Sequence, residues 1–130
     1  MATTQKSIVL VVDDEPDLIE NICERLEAEG FQTFSAGSGE KALELFKKEE
    51  IDFIVSDVRM AQGDGMWLMS QILALRKPIR SFVIMTAFSD YTRAELLVKG
   101  ADEVFQKPFK PEALANYLKG ILKSSSMKKE

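Results

Sequence analysis

The stretch "IDFIVSDVRMAQGDG", residues 51–65, carries an apolar run straight into a carboxylate. Phe53-Ile54-Val55 reads as a strand, Asp57 stands at its tip, and Gly63-Asp64-Gly65 closes the loop that follows. Consecutive apolar residues leave no polar face for water, so such a strand is expected inside a sheet covered on both sides. Moving outward, "IVLVV" (8–12) repeats the pattern and ends in Asp13-Asp14-Glu15. "SFVIM" (81–85) runs into Thr86, and the shorter "EVFQ" (103–106) runs into Lys107-Pro108. "FQTFSA" (31–36) is a weaker, half-exposed candidate.

Segments of helical period separate these runs. Pro16 opens one carrying Leu18, Ile19, Ile22, Cys23 and Leu26, which Gly30 stops. Ser38 can cap a second with Ala42, Leu43, Leu45 and Phe46. A third spans about 66–76, with Trp67, Leu68, Met69, Ile72 and Leu73 as its apolar set, ended by Pro78. A fourth covers 90–100, with Ala94, Leu97 and Val98 turned inward and Gly100 at its end. Pro111 opens a fifth bearing Leu114, Leu118, Ile121 and Leu122. Five strand–helix pairs with short connections predict an α/β fold, a doubly wound parallel sheet with helices on both faces.

The chain has 130 residues, a length suited to a single domain with its own core, spanning about 7–123. Residues 124–130, "SSSMKKE", read as a polar tail or the start of a linker. The net charge of −4 gives no basic excess to bind a phosphate backbone, so no direct nucleic-acid partner is expected. The longest aliphatic run has five residues, far below the roughly 18 of a membrane span. The N-terminus lacks the apolar centre of a secretory signal, so a cytoplasmic location is expected. Cys23 is the only cysteine and reads as a core thiol. There is no histidine, which excludes within this chain a His-based triad or zinc site.

In an open parallel sheet, ligands bind beyond the carboxyl ends of the strands. Asp13, Asp14, Asp57, Thr86 and Lys107 all follow strands. If the first and third strands are neighbours, three carboxylates converge. Two unit negative charges about 4 Å apart repel by about 4 kcal/mol at an effective dielectric near 20. A divalent cation relieves this, and an all-oxygen donor set suits Mg²⁺. Carboxylates, a hard cation, a lysine and a hydroxyl together suit phosphoryl transfer, with Asp57 able to accept the group.

The motifs "VVDDE", "IDFIVSDVRM…GDG", "VIMTA" and "GADEVFQKPF" resemble, in order and spacing, the bacterial response-regulator receiver domain (CheY-like, of flavodoxin-like topology). The resemblance covers about residues 7–123 and implies the strand order 2-1-3-4-5. It implies a two-component signalling switch in which Asp57 is the phosphoacceptor for a sensor histidine kinase or phosphotransfer protein. Asp14 would then ligate Mg²⁺ directly, Asp13 more through water, and the backbone carbonyl of Arg59 would complete the protein's share of the shell. Thr86 would hydrogen-bond the phosphoryl group and Lys107 would pair with it, ahead of a cis Lys107–Pro108 bond. Output would pass through the surface of helix 4, strand 5 and helix 5 to an effector protein or domain, or to a homodimer formed on phosphorylation. No metabolite would be turned over, so the domain is expected not to be an enzyme beyond its own phosphorylation and dephosphorylation.

Two alternatives stand beside this reading. A haloacid-dehalogenase-type phosphatase also uses an aspartate and Mg²⁺, but Asp13 lacks the second aspartate two places on. A relic receiver that only binds partners would be expected to have lost the acceptor or the acidic pair. Other residues have plainer readings: Asp64 shapes a turn, while Met66, Trp67 and Met69 serve packing. The chain also departs from the family pattern. Ala61 replaces a common proline, and Val104 takes the place of a switch aromatic, with Phe105 facing the other way. Arg59 and Phe88, two residues beyond Asp57 and Thr86, are expected by their bulk to slow loss of the phosphoryl group.

Overall fold

The computed structural model describes residues 6–60, 64–87 and 91–128, with side chains as far as Ser124. Strands β1 (Ile8–Val12), β2 (Gln32–Ala36), β3 (Phe53–Asp57), β4 (Ser81–Thr86) and β5 (Glu103–Gln106) alternate with five helices. These are α1 (Pro16–Ala28), α2 (Gly39–Lys48), α3 (Gly65–Leu75), α4 (Arg93–Lys99) and α5 (Pro111–Lys128). The strands form one parallel sheet in the order β2-β1-β3-β4-β5, as the family resemblance implies.

Side chains alternate across each strand, so every apolar run supplies two cores. Leu10, Val12, Ile54, Phe82 and Ile84 pack beneath α2, α3 and α4 with Phe46, Leu68 and Leu96. Val9, Val11, Phe53, Val55, Val83 and Met85 pack on the other face with Ile22 and Leu26 of α1 and Leu114 and Leu118 of α5. Burial of both faces is what the unbroken strand hydrophobicity required. β2 lies at the sheet edge and is half exposed, as its weaker pattern suggested.

At the amino end of the sheet, two acids take strand amides. Asp52 accepts from Ile8 N–H at 2.8 Å, and Asp102 accepts from Phe82 N–H at 2.8 Å. At the carboxyl end the strand tips are level: Val12 pairs with Ser56, Asp57 with Met85, and Thr86 with Gln106. Residues just beyond these pairs are therefore set side by side.

Five details differ from the sequence reading. α4 begins at Arg93, held by a capping box in which Thr92 and Glu95 exchange hydrogen bonds. Its buried residue is Leu96, while Ala94 is exposed and Val98 is 86% exposed. With Leu96 inward, Val98 lies about 200° round the helix. Leu73 of α3 is also exposed, α5 continues through the expected polar tail to Lys128, and Cys23 is only partly buried.

Candidate functional site

Beyond the tips of β1 and β3, one carboxylate oxygen each from Asp13, Asp14 and Asp57 lies within 4.8 Å of the other two. Asp13 is fully buried, Asp57 is partly buried and Asp14 is exposed, so the cluster opens to solvent on one side. Asp13 is fixed from two directions. Its Oδ1 accepts the backbone N–H of Glu15 at 3.0 Å, and its Oδ2 accepts from Lys107 Nζ at 2.8 Å. The N-cap of α1 is Glu15, whose own side chain makes no capping bond.

Lys107 arrives from the loop after β5. Its Nζ also lies 3.5 Å from Asp57 Oδ2, so one ammonium bridges two carboxylates. Burial works against its charge, but the hydrogen bond to Asp13 and the negative fields of Asp57 and Asp13 carry its pKa above the usual lysine value. Its backbone N–H donates to the carbonyl of Thr86 at 2.7 Å, and the bond to Pro108 is cis. Thr86 ends β4, one position past Met85, the partner of Asp57. Arg59 is exposed, two residues after Asp57. Ala61 and Phe88 lie outside the described residues.

Asp57 is the electrostatically unsettled member. Burial first, then the charge of Asp13, push its pKa up to about 6, with Lys107 opposing. Lys107 faces two of the three carboxylates, and a hard divalent ion is a natural means of supplying further positive charge. The donors fit Mg²⁺: all are oxygens, close together, with an open side for waters.

A glycine that the sequence reading assigned only to a turn proves structural for the site. A Cβ on Gly65 would fall inside contact distance of the Asp57 carbonyl oxygen and 3.1 Å from Val58 Cα. The first turn of α3 thus rests directly on the strand tip that presents Asp57. The signal was present in "GDG", but only the fold shows what the glycine faces. Asp64 does more than turn the chain: its Oδ1 accepts from Trp67 N–H at 2.9 Å and caps α3. Val104 and Phe105 point to opposite faces, as strand alternation required, with Phe105 packed against Phe109 and Tyr117.

A doubly wound sheet with an acidic, lysine-bridged crevice at the β1/β3 switch point defines the class. Residues 9–119 match the family model of the response regulator receiver domain, and the chain belongs to that family. It is 36% identical over 121 residues to a probable transcriptional regulator, ycf27, of Porphyridium aerugineum, covering 92% of this chain and 49% of that protein. It is 29% identical over 119 residues to the alkaline phosphatase synthesis transcriptional regulatory protein PhoP of Bacillus subtilis, covering 92% and 50%. The chain thus spans about half the length of these curated relatives. Among solved structures it is similar to response regulator protein TrrA of Thermotoga maritima, in complex with Mg(2+)-BeF. That match has a TM-score of 0.78 and 32% identity, covering 88% of this chain and 98% of that one. A CheY-like receiver from Methanospirillum hungatei shares the fold at a TM-score of 0.86 and 22% identity, covering 95% and 99%. Among the described residues, no helix is long and apolar enough to cross a membrane.

Proposed function

We propose that this receiver domain is a phosphorylation-controlled switch whose acceptor is Asp57. The observation that carries the reading is the bridging of Asp13 and Asp57 by Lys107, beside the open acidic cluster. Mg²⁺, held by Asp13, Asp14, Asp57 and the Arg59 carbonyl, would supply positive charge for the phosphoryl oxygens. A carboxylate oxygen of Asp57 attacks phosphorus of a phosphohistidine on a sensor kinase or phosphotransfer protein. The P–N bond breaks, the imidazole leaves with its electrons and takes up a proton, and an acyl phosphate forms on Asp57.

Lys107, already 3.5 Å from the acceptor oxygen, needs little movement to pair with the new dianion. The Thr86 hydroxyl turns toward the same group. Both residues adjoin the α4, β5 and α5 surface, through which an effector protein or domain, or a second phosphorylated copy, reads the state. The transcriptional-regulator relatives support an effector of that class, reached without direct nucleic-acid contact by this domain. The domain would act in the cytoplasm and turn over no metabolite.

Incubation with Mg²⁺ and acetyl phosphate, followed by intact mass, tests this reading. One added phosphoryl group is expected on the wild type and none on Asp57→Asn. Equal labelling of both would remove Asp57 as acceptor.

A further inference from the structure

All four large apolar side chains that are exposed among the described residues lie on α3 and α4: Trp67 (37%), Leu73 (50%), Leu75 (43%) and Val98. Three of them are on α3. That helix has eleven residues without one ionisable side chain, whereas each of the other four helices bears both signs. Its inner face is used up by Leu68, Met69 and Ile72. The outer face shows Trp67, Ser70, Leu73, Ala74 and Leu75. A helix that also carries three large apolar side chains on its exposed side, around polar but uncharged Ser70 and Gln71, is one that expects cover there. Beside it, a groove of about 360 Å³ runs between α3 and α4, lined by Met66, Trp67, Met69, Ser70, Tyr91 and Lys99.

We propose that the outer face of α3 is a self-association surface, on which a second copy of this chain packs its own α3 antiparallel. Charge argues for a copy. The chain carries a net −4, so most faces would bring like charges together, but α3 presents none. Charge appears only at its ends, with opposite sign: Asp64 caps the N-terminus and exposed Arg76 closes the C-terminus. Antiparallel pairing about a two-fold axis at Ser70 sets residue 64 opposite 76 of the copy, and 67 opposite 73. Asp64 then meets Arg76 at both ends, the helix dipoles oppose, and Trp67 meets Leu73.

The two-fold keeps the α4 sides of the copies together, so each Leu73 is directed at the groove beside Met66 and Ser70 of the other. Ser70 and Ala74, both small, allow close approach of the helices at the centre. A single three-turn helix pair buries less than about 1,200 Å², which places the dimer in the weak, concentration-dependent class. It requires no phosphorylation, since the face is exposed in the structure described.

Sedimentation of the full chain across concentrations up to about 1 mM tests this, with Ser70→Asp and Ser70→Lys as variants. Residue 70 faces itself across the axis, so either sign is repelled by its own copy. Both variants are expected to weaken self-association at least about tenfold while keeping the wild-type circular dichroism and melting midpoint. A chain that stays monomeric throughout, or a dimer indifferent to residue 70, overturns the proposal. So does weakening by one sign alone, which would mark a different protein as the occupant. As a second readout, Ser70→Cys in a Cys23→Ser background should form an intermolecular disulfide faster than Ala94→Cys in the same background. Faster bridging at position 94 would place the contact on α4 and also overturn it.

Discussion

The ammonium of Lys107 is shared unequally between two aspartates, 2.8 Å from Asp13 Oδ2 and 3.5 Å from Asp57 Oδ2. Asp13 is fully buried, with the ammonium hydrogen-bonded to its carboxylate. Replacing Lys107 with methionine keeps most of the stem but leaves a buried carboxylate without its cation. Breaking such a pair typically costs about 3–5 kcal/mol, and the open side of this site argues for the lower end or below. Urea unfolding without divalent ions should show the loss. Mg²⁺ should restore part of it, because it brings charge to the same oxygens. A Lys107→Met domain as stable as wild type in EDTA would contradict this account.

The raised pKa of Asp57, about 6, makes a signed claim about pH. The folded state holds this proton more tightly than the unfolded chain, whose aspartates titrate near 3.9. Its contribution is therefore fully present below about 4 and is lost as pH rises through about 6, by about 3 kcal/mol before solvent screening of this partly exposed group reduces it. Asp57→Asn should be more stable than wild type at pH 7.5 in EDTA, with the gap closing toward pH 4. Glu29 runs the other way: its hydrogen bond to Lys119 lowers its pKa, so its contribution is lost on acidification. The difference between wild type and variant cancels that background. A gap that stays constant with pH would show that Asp57 ionises normally.

Metal linkage follows from the same group. Mg²⁺ favours the ionised carboxylates, so apparent affinity should climb between pH 5 and about 7 as Asp57 gives up its proton. Thermal midpoints measured with and without Mg²⁺ at each pH report this directly. The Mg²⁺-induced rise should shrink on acidification and nearly vanish in Asp57→Asn. An equal rise in that variant would locate the ion away from Asp57.

Much of this was legible because the sheet is buried on both faces. β1, β3 and β4 could be read from apolar runs that stop at a polar residue, and the structure sets those stopping residues side by side at the carboxyl end of the sheet. The α4 face was not legible. Ala94, Leu96, Leu97 and Val98 crowd a seven-residue helix, too few turns for a period to show. The sequence "TRAE" (92–95) did encode the start as a capping box, and that start fixes Leu96 as the inward residue. The inequality of the Lys107 bridge and the contact of Gly65 with Asp57 depend on ångström-level distances between segments far apart in sequence. No local pattern carries them.

Gly65→Ala should therefore act on the site out of proportion to its size. The added methyl meets the Asp57 carbonyl and Val58 Cα, both backbone, which cannot rotate aside as a side chain can. Relief requires moving the strand tip or the start of α3, with an overpacking cost of about 1–3 kcal/mol. The diagnostic readout compares Gly65→Ala with Gly120→Ala, where a Cβ meets nothing within 4 Å. Gly65→Ala should lose Mg²⁺ affinity and slow acetyl-phosphate labelling while folded, whereas Gly120→Ala should keep both. Unchanged Mg²⁺ binding in folded Gly65→Ala would reduce its role to stability alone.

A coupling from Asp57 to β5 cannot use an aromatic ring at position 104, because valine stands there and Phe105 packs on the opposite face with Phe109 and Tyr117. A backbone connection is present: Lys107 N–H donates to the Thr86 carbonyl at 2.7 Å, and Thr86 is registered with Gln106. By this route a displacement of Thr86 would pass along the β4–β5 ladder. Thr86→Val, close in shape but without the hydroxyl, should still accept a phosphoryl group. Its phosphorylation-dependent amide shifts along 103–107 should largely disappear. Val104→Ala should retain those shifts, losing only about 1 kcal/mol of packing. If Val104→Ala abolished them instead, the side chain at 104 would be the carrier and the backbone route would be wrong.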